Sequence, residues 1–193
     1  MRTLIKICGL TRRCDVAAAL ECGADYLGFV LVPASKRFVL LERLAELTRG
    51  VTTARKVGVF MDAPLETIRR AVDVGGLDVV QLHGSETAEF ASSIDFAEVW
   101  KATYDATFPA ARLVCDAPQG GSGRFGDHVR AAELAKLRPI MLAGGLAPAN
   151  VAAVVSAVRP AGVDVASGVE SAPGVKDRKK LEALFTELKG SQL

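Results

Sequence analysis

The chain is poor in several things that would have decided its class at once. Only 2 of 193 residues are histidine and 4 are cysteine. Cys8, Cys14, Cys22 and Cys115 show no Cys-x-x-Cys spacing and no histidine-rich neighbour. A zinc site is therefore not expected; the thiols read as free, small apolar residues of a reducing compartment. Charge excess is also lacking. With 24 Lys+Arg against 22 Asp+Glu the formal charge is +2, which leaves no basic surplus to neutralise phosphates and argues against a nucleic-acid partner. The opening MRTLIKICGLT runs straight into a strand pattern without signal-peptide architecture, so a cytoplasmic location is expected. One long stretch without charge, residues 139–158, is interrupted by Pro139, Gly144, Gly145, Pro148 and Asn150. It reads as strand, turn and helix rather than a membrane span.

What is present is alternation. Short apolar runs at 4–8, 26–30, 56–60, 79–82, 99–102, 112–116, 140–143 and 162–166 have the near-continuous hydrophobicity of parallel strands buried on both faces. Between them, Leu65/Ile68/Val72, Val151/Val154/Val155/Val158 and Leu181/Leu184/Phe185/Leu188 fall at helical spacing. Thr11 is a candidate cap for a helix over 13–22 that Gly23 ends; Pro64 suits a first helical turn, and Ser85 with Glu86 and Glu89 marks another start. No linker or low-complexity tract divides the chain. The reading is one α/β domain over 1–193, a (β/α)8 barrel. Such barrels typically need about 250 residues. The shortfall is partly localised: residues 103–111, TYDATFPAA, are too short and too irregular for a crossover helix, so the fifth helix is expected to be a loop.

In a parallel barrel the chemistry gathers at the C-terminal ends of the strands. Those positions hold Lys6, Cys8 and Gly9; Ser35, Lys36 and Arg37; Gln81, His83 and Gly84; Asp116 followed by Gly121, Ser122 and Gly123; Gly144 and Gly145; and Ser167 and Gly168. The glycines after strands seven and eight let backbone approach an anion near a helix start, with Val169-Glu170-Ser171 a candidate extra turn, so a phosphate is expected there. No Gly-Lys-Ser/Thr ending supports a nucleotide loop. Strand parity puts Lys6 and Cys8 on one side, where the ammonium would depress the thiol pKa and make Cys8 a base or nucleophile. Asp116 is the candidate acid. His83 reads as a rim residue that packs or hydrogen-bonds, His128 as a helix-surface residue, and Arg37 with Lys36 as an anion clamp.

Taken in order, Lys6-Ile7-Cys8-Gly9-Leu10-Thr11, Gln81-Leu82-His83-Gly84, Asp116 with Gly121-Ser122-Gly123, Leu142-Ala143-Gly144-Gly145-Leu146 and Asp164-Val165-Ala166-Ser167-Gly168-Val169-Glu170 make the chain resemble the phosphoribosylanthranilate isomerases of tryptophan biosynthesis, from about residue 4 to 188. The resemblance implies an Amadori rearrangement of N-(5-phosphoribosyl)anthranilate without cofactor or metal, in a monomer or homodimer. It implies Asp116 as the acid that opens the sugar ring and Cys8 as the base at C2. Arg37 would take the anthranilate carboxylate, and the loops at Gly144-Gly145 and Ser167-Gly168 the phosphate, with His83, Gly121 and Ser122 also against the substrate. Two departures stand out: Ser35-Lys36-Arg37 where the family usually has Ser-Pro-Arg, and Phe125-Gly126-Asp127-His128 where it often has Phe-Asp-Trp after the Gly-Ser-Gly.

Overall fold

The computed structural model describes residues 2–116 and 127–190. Strands β1 (Leu4–Ile7), β2 (Tyr26–Val30), β3 (Arg55–Phe60), β4 (Val79–Leu82), β5 (Glu98–Ala102), β6 (Arg112–Cys115), β7 (Ile140–Leu142) and β8 (Gly162–Val165) pair in chain order and close into a barrel through β8 and β1. Every pairing in the barrel is parallel. Outside lie α1 (Arg13–Cys22), α2 (Leu41–Thr48), α3 (Leu65–Gly75), α4 (Ala88–Ser92), α5 (His128–Leu137), α6 (Val151–Val158) and α7 (Arg178–Gly190). The expected (β/α)8 architecture is the observed one.

Strand parity sorts the apolar residues into two cores, because successive side chains point to opposite faces. Tyr26, Val57, Val79, Trp100, Val114, Met141 and Ala143 fill the barrel interior, with the Tyr26 and Trp100 rings edge to face at 4.8 Å. The alternate residues, among them Ile7, Leu27, Phe60, Leu82, Leu113 and Leu142, pack outward against the helices.

Between β5 and β6 no helix forms, as the sequence leads one to expect. The link holds without one because a guanidinium substitutes for helical hydrogen bonding. Arg138, at the end of α5, donates through Nη1 to the carbonyls of Ala106 (2.9 Å) and Phe108 (2.8 Å) and through Nη2 to that of Ala110. Carbonyls that a helix would pair internally are thus met from outside.

Several local expectations are corrected. Thr11 does not cap α1: the N-cap is Arg12, with no side-chain cap bond, and the Thr11 hydroxyl donates to Gly174 O at 2.6 Å instead. Gly23 does end that helix in a left-handed conformation. Pro64 is the N-cap of α3 rather than its first residue. At α4 the cap is Thr87; Ser85 is drawn away to Asp62, and Glu86 is buried against Lys101. The extra turn after β8 sits earlier than expected, over Ser167–Val169, because Glu170–Ala172 (β9) pairs antiparallel with Val175–Lys176 (β10). All four cysteines are free, but only Cys8 and Cys115 are buried; Cys14 is exposed and Cys22 half-buried. No helix among the described residues is long and apolar enough to cross a membrane.

Candidate active site

The strands end one residue earlier at several sites than the apolar runs suggest, which leaves Cys8, Asp116, Ala143 and Ala166 as the first residues beyond β1, β6, β7 and β8. They keep the inward parity of their strands, and the Cys8 and Ala143 N–H groups still donate to the neighbouring strands, to Val165 O at 2.9 Å and Cys115 O at 2.8 Å. Around them opens a cavity of about 480 Å³ at the C-terminal mouth of the barrel. Cys8, Arg37, His83, Asp116, Gly144, Gly145 and Ser167 all line it, joined by Ser35 and Lys36. Elements scattered from residue 8 to residue 167 therefore contribute to one site. Gly121 and Ser122, and Phe125 and Gly126 of the second departure, lie outside the described residues.

Of the strand-end glycines among the described residues, Gly144 and Gly145 line the cavity, whereas Gly9, Gly84 and Gly168 do not. Gly168 has a packing role: a Cβ there would sit 1.9 Å from Leu146 O. Its place is between the loops after β7 and β8, which can approach this closely only without a side chain. Gly144 (φ 87°) and Gly145 (φ 66°) adopt left-handed backbone. Asn150 braces that loop, accepting from Ala147 N–H and donating to Gly145 O, both at 2.9 Å.

Below Cys8 lies a charged floor. Lys6 is fully buried and its Nζ donates to Asp164 Oδ2 at 2.7 Å. Burial opposes the Lys6 ammonium, but Asp164 and Cys8 hold its pKa above the ordinary value. The thiol goes the other way from the sequence-based expectation. Lys6 does pull the Cys8 pKa down, yet burial outweighs it and the net direction is upward. Gly28 gives these side chains their room: a Cβ there would meet Cys8 Sγ at 2.8 Å and Lys6 Cε at 3.1 Å. The other buried thiol, Cys115, is pushed up to about 12 by burial and faces the helices.

Across the barrel, His83 Nε2 lies 3.4 Å from Asp116 Oδ2, and the Gln81 Nε2 amide lies 3.3 Å from His83 Nδ1. The direction of the Gln81–His83 contact follows from the ring tautomer, and Nε2 faces the carboxylate. His83 is thus a hydrogen-bonding rim residue, as expected. His128 is the first residue of α5 and half-buried rather than on the surface.

Four residues to which the sequence alone assigns no role belong to this arrangement. Gln81 and Asp164 line the cavity, and Gln81 Oε1 and Asp164 Oδ1 are buried acceptors without a hydrogen-bond partner among the described residues. Glu170 and Lys176 bracket Arg37. A signal for the first two exists: polar side chains at inward parity in strands otherwise apolar on both faces. Glu170 and Lys176 pair with each other inside one hairpin, but what ties them to the site, Arg37 and the Cys8 carbonyl, lies more than a hundred residues away and leaves no local signal.

The model of the N-(5'-phosphoribosyl)anthranilate (PRA) isomerase family matches residues 5–187. An N-(5'-phosphoribosyl)anthranilate isomerase of Geotalea uraniireducens is 41% identical over 202 residues, covering 97% of this chain and 99% of the relative. The crystal structure of phosphoribosyl anthranilate isomerase from Thermus thermophilus superposes with a TM-score of 0.92 at 40% identity, over 98% of this chain and 99% of that one. A further structure of such an isomerase, in complex with reduced 1-(o-carboxyphenylamino)-1-deoxyribulose 5-phosphate, gives 0.89 at 31% identity, over 97% and 99%.

Proposed function

The chain belongs to the phosphoribosylanthranilate isomerase family of tryptophan biosynthesis, and from that premise we propose that Asp116 and Cys8 divide the acid and base steps of its Amadori rearrangement. The observation that carries the reading is the shared cavity: Cys8 follows β1 and Asp116 follows β6, so they approach a bound sugar from different sides of the barrel.

Protonation of the furanose ring oxygen by Asp116 breaks its bond to C1, as the nitrogen lone pair forms the iminium. Cys8 in its ionised form, which the Lys6 ammonium favours against burial, then takes the proton from C2, and the electrons flow into an enolamine; C1 gains a proton and the C2 hydroxyl loses its own, which gives the C2 ketone. His83, with Nε2 3.4 Å from Oδ2, orients the Asp116 carboxyl. Gln81 Oε1 and Asp164 Oδ1, buried and unpartnered at the cavity wall, accept from the hydroxyls or amine of the opened substrate. Such groups are costly to leave unmet, so a ligand that satisfies them gains specificity.

The left-handed Gly144-Gly145 turn and Ser167 receive the phosphate, and Arg37 the anthranilate carboxylate. The substrate is a small phosphorylated molecule, no cofactor or metal takes part, and the cytoplasm suits this chemistry; the assembly is a monomer or homodimer. Positioning and acid–base transfer together account for the rate, each acid–base step contributing about 10²–10⁴-fold. Loss of anthranilate fluorescence reports turnover. Cys8→Ala and Asp116→Asn should each lower kcat by about 10²–10⁴-fold, and near-normal turnover in both would overturn the assignment.

A further inference from the structure

Arg37 arrives at the cavity already engaged. Its Nε donates to Glu170 Oε1 at 2.8 Å and its Nη2 to Oε2 at 2.7 Å. A guanidinium has five N–H donors, and this side-on pair uses two. The end-on edge, made by Nη1 and the second N–H of Nη2, is a separate fork that matches a second carboxylate. Arg37 can therefore hold Glu170 and an incoming carboxylate together.

Glu170 is itself fixed from several directions. Besides Arg37 it accepts from Lys176 Nζ at 2.8 Å and from Gly174 N–H at 3.2 Å. Lys176 is buried and also donates to Cys8 O at 2.6 Å and Ala166 O at 3.1 Å, the backbone just beyond β1 and β8. The hairpin is pinned in turn: Thr11 donates to Gly174 O, and Lys176 N–H donates to Asp15 at 3.0 Å. Gly9 lies under the Arg37 stem, where a Cβ would come within 2.4 Å of Cδ. The sum of charges is two cations to one carboxylate, which leaves a net positive end beside the cavity.

We propose that Glu170 and Lys176, on the β9–β10 hairpin, are positioning residues that present the outer fork of Arg37 to the aryl carboxylate and so select a substrate bearing one. The inference rests on the reading that Arg37 receives that carboxylate. It accounts for a hairpin that belongs to neither barrel nor helix layer, because one ammonium locks the backbone of Cys8 to the same bracket that aims Arg37. Carboxylate recognition and base placement are thereby held in one frame.

The test compares N-(5-phosphoribosyl)anthranilate with N-(5-phosphoribosyl)aniline, which lacks the carboxylate. Arg37→Gln, the reference, should raise KM for the anthranilate about a hundredfold and for the aniline less than about threefold. Glu170→Gln should raise KM for the anthranilate about tenfold, with kcat changed less and the aniline again within about threefold. Glu170→Asp keeps the charge but withdraws it by one methylene; it should show the same bias at smaller scale, and it serves if Glu170→Gln does not fold. Equal losses on both substrates would mark a merely structural role and overturn the proposal, as would no loss on either. If Arg37→Gln itself shows no bias, the reading beneath it fails, and the proposal with it.

Discussion

Lys6 and Asp164, 158 residues apart in sequence, hydrogen-bond inside the barrel at 2.7 Å, directly paired in the register by which β1 meets β8. The pair is buried, and its consequence is local: a cation held fixed beneath the Cys8 thiol, where burial alone would keep the proton on sulfur.

Removing that cation should therefore be read at Cys8. Because the thiol pKa lies above its ordinary value, the thiolate fraction climbs as pH rises through an alkaline range, and the alkylation rate with iodoacetamide climbs with it. In Lys6→Met the rise should move to still higher pH, and alkylation at a fixed pH below it should slow by about tenfold or more. Leaving Asp164 unpaired should cost about 3–5 kcal/mol of stability. The double variant Lys6→Met/Asp164→Asn should recover stability but only part of the thiol reactivity, because the Asp164 charge raises the Cys8 pKa by less than Lys6 lowers it, which separates the two effects.

Stability should also fall in acid through Glu170. Burial raises its pKa, but hydrogen bonds and charge from Arg37 and Lys176 outweigh that and hold it below the usual value. A carboxyl depressed in the folded state stabilises fully above its unfolded pKa, and this is lost as pH falls through the lower folded value. Urea midpoints from pH 7 to pH 3 should decline, and Glu170→Gln should decline less steeply. An equal slope in the variant would count against the bracket.

Gly168→Ala places a methyl carbon against backbone, not against a side chain that can turn aside. The loops after β7 and β8 must part, at a cost of about 1–3 kcal/mol. Inhibition by inorganic phosphate should weaken and KM should rise, with kcat less affected. An unchanged inhibition constant would separate these loops from phosphate binding.

Arg138→Ala removes the donor that serves three loop carbonyls between β5 and β6. A loss of about 2 kcal/mol in urea unfolding is expected. Arg138→Lys should recover less than half of it, since an ammonium cannot reproduce the fork.

Much of the site is legible in the sequence because a barrel ties function to position. Cys8, His83, Asp116, Gly144, Gly145 and Ser167 all stand at strand ends, and all six line the cavity. Thr11 and Ser85 mislead for one physical reason. Each is a good cap in isolation, but each hydroxyl finds a tertiary acceptor, Gly174 O or Asp62, that outcompetes the helix start. That Lys6 lowers the Cys8 pKa follows from strand parity, but the desolvation opposing it depends on depth, which sequence does not carry.

The shortage of histidine, paired cysteine and net charge excluded metal clusters and nucleic acid from expectation, and the alternation of apolar runs determined eight parallel strands and one missing helix. These are local properties: periodicity, length and turn chemistry act over a few residues. Which ions meet is not local. Lys6 finds Asp164, and Arg37 finds Glu170 across 133 residues, only because closing the sheet places β8 beside β1 and brings the following hairpin against Arg37 and the backbone after β1. The strand pattern belongs to the sequence; the electrostatic frame around Cys8 and Arg37 belongs to the closed barrel.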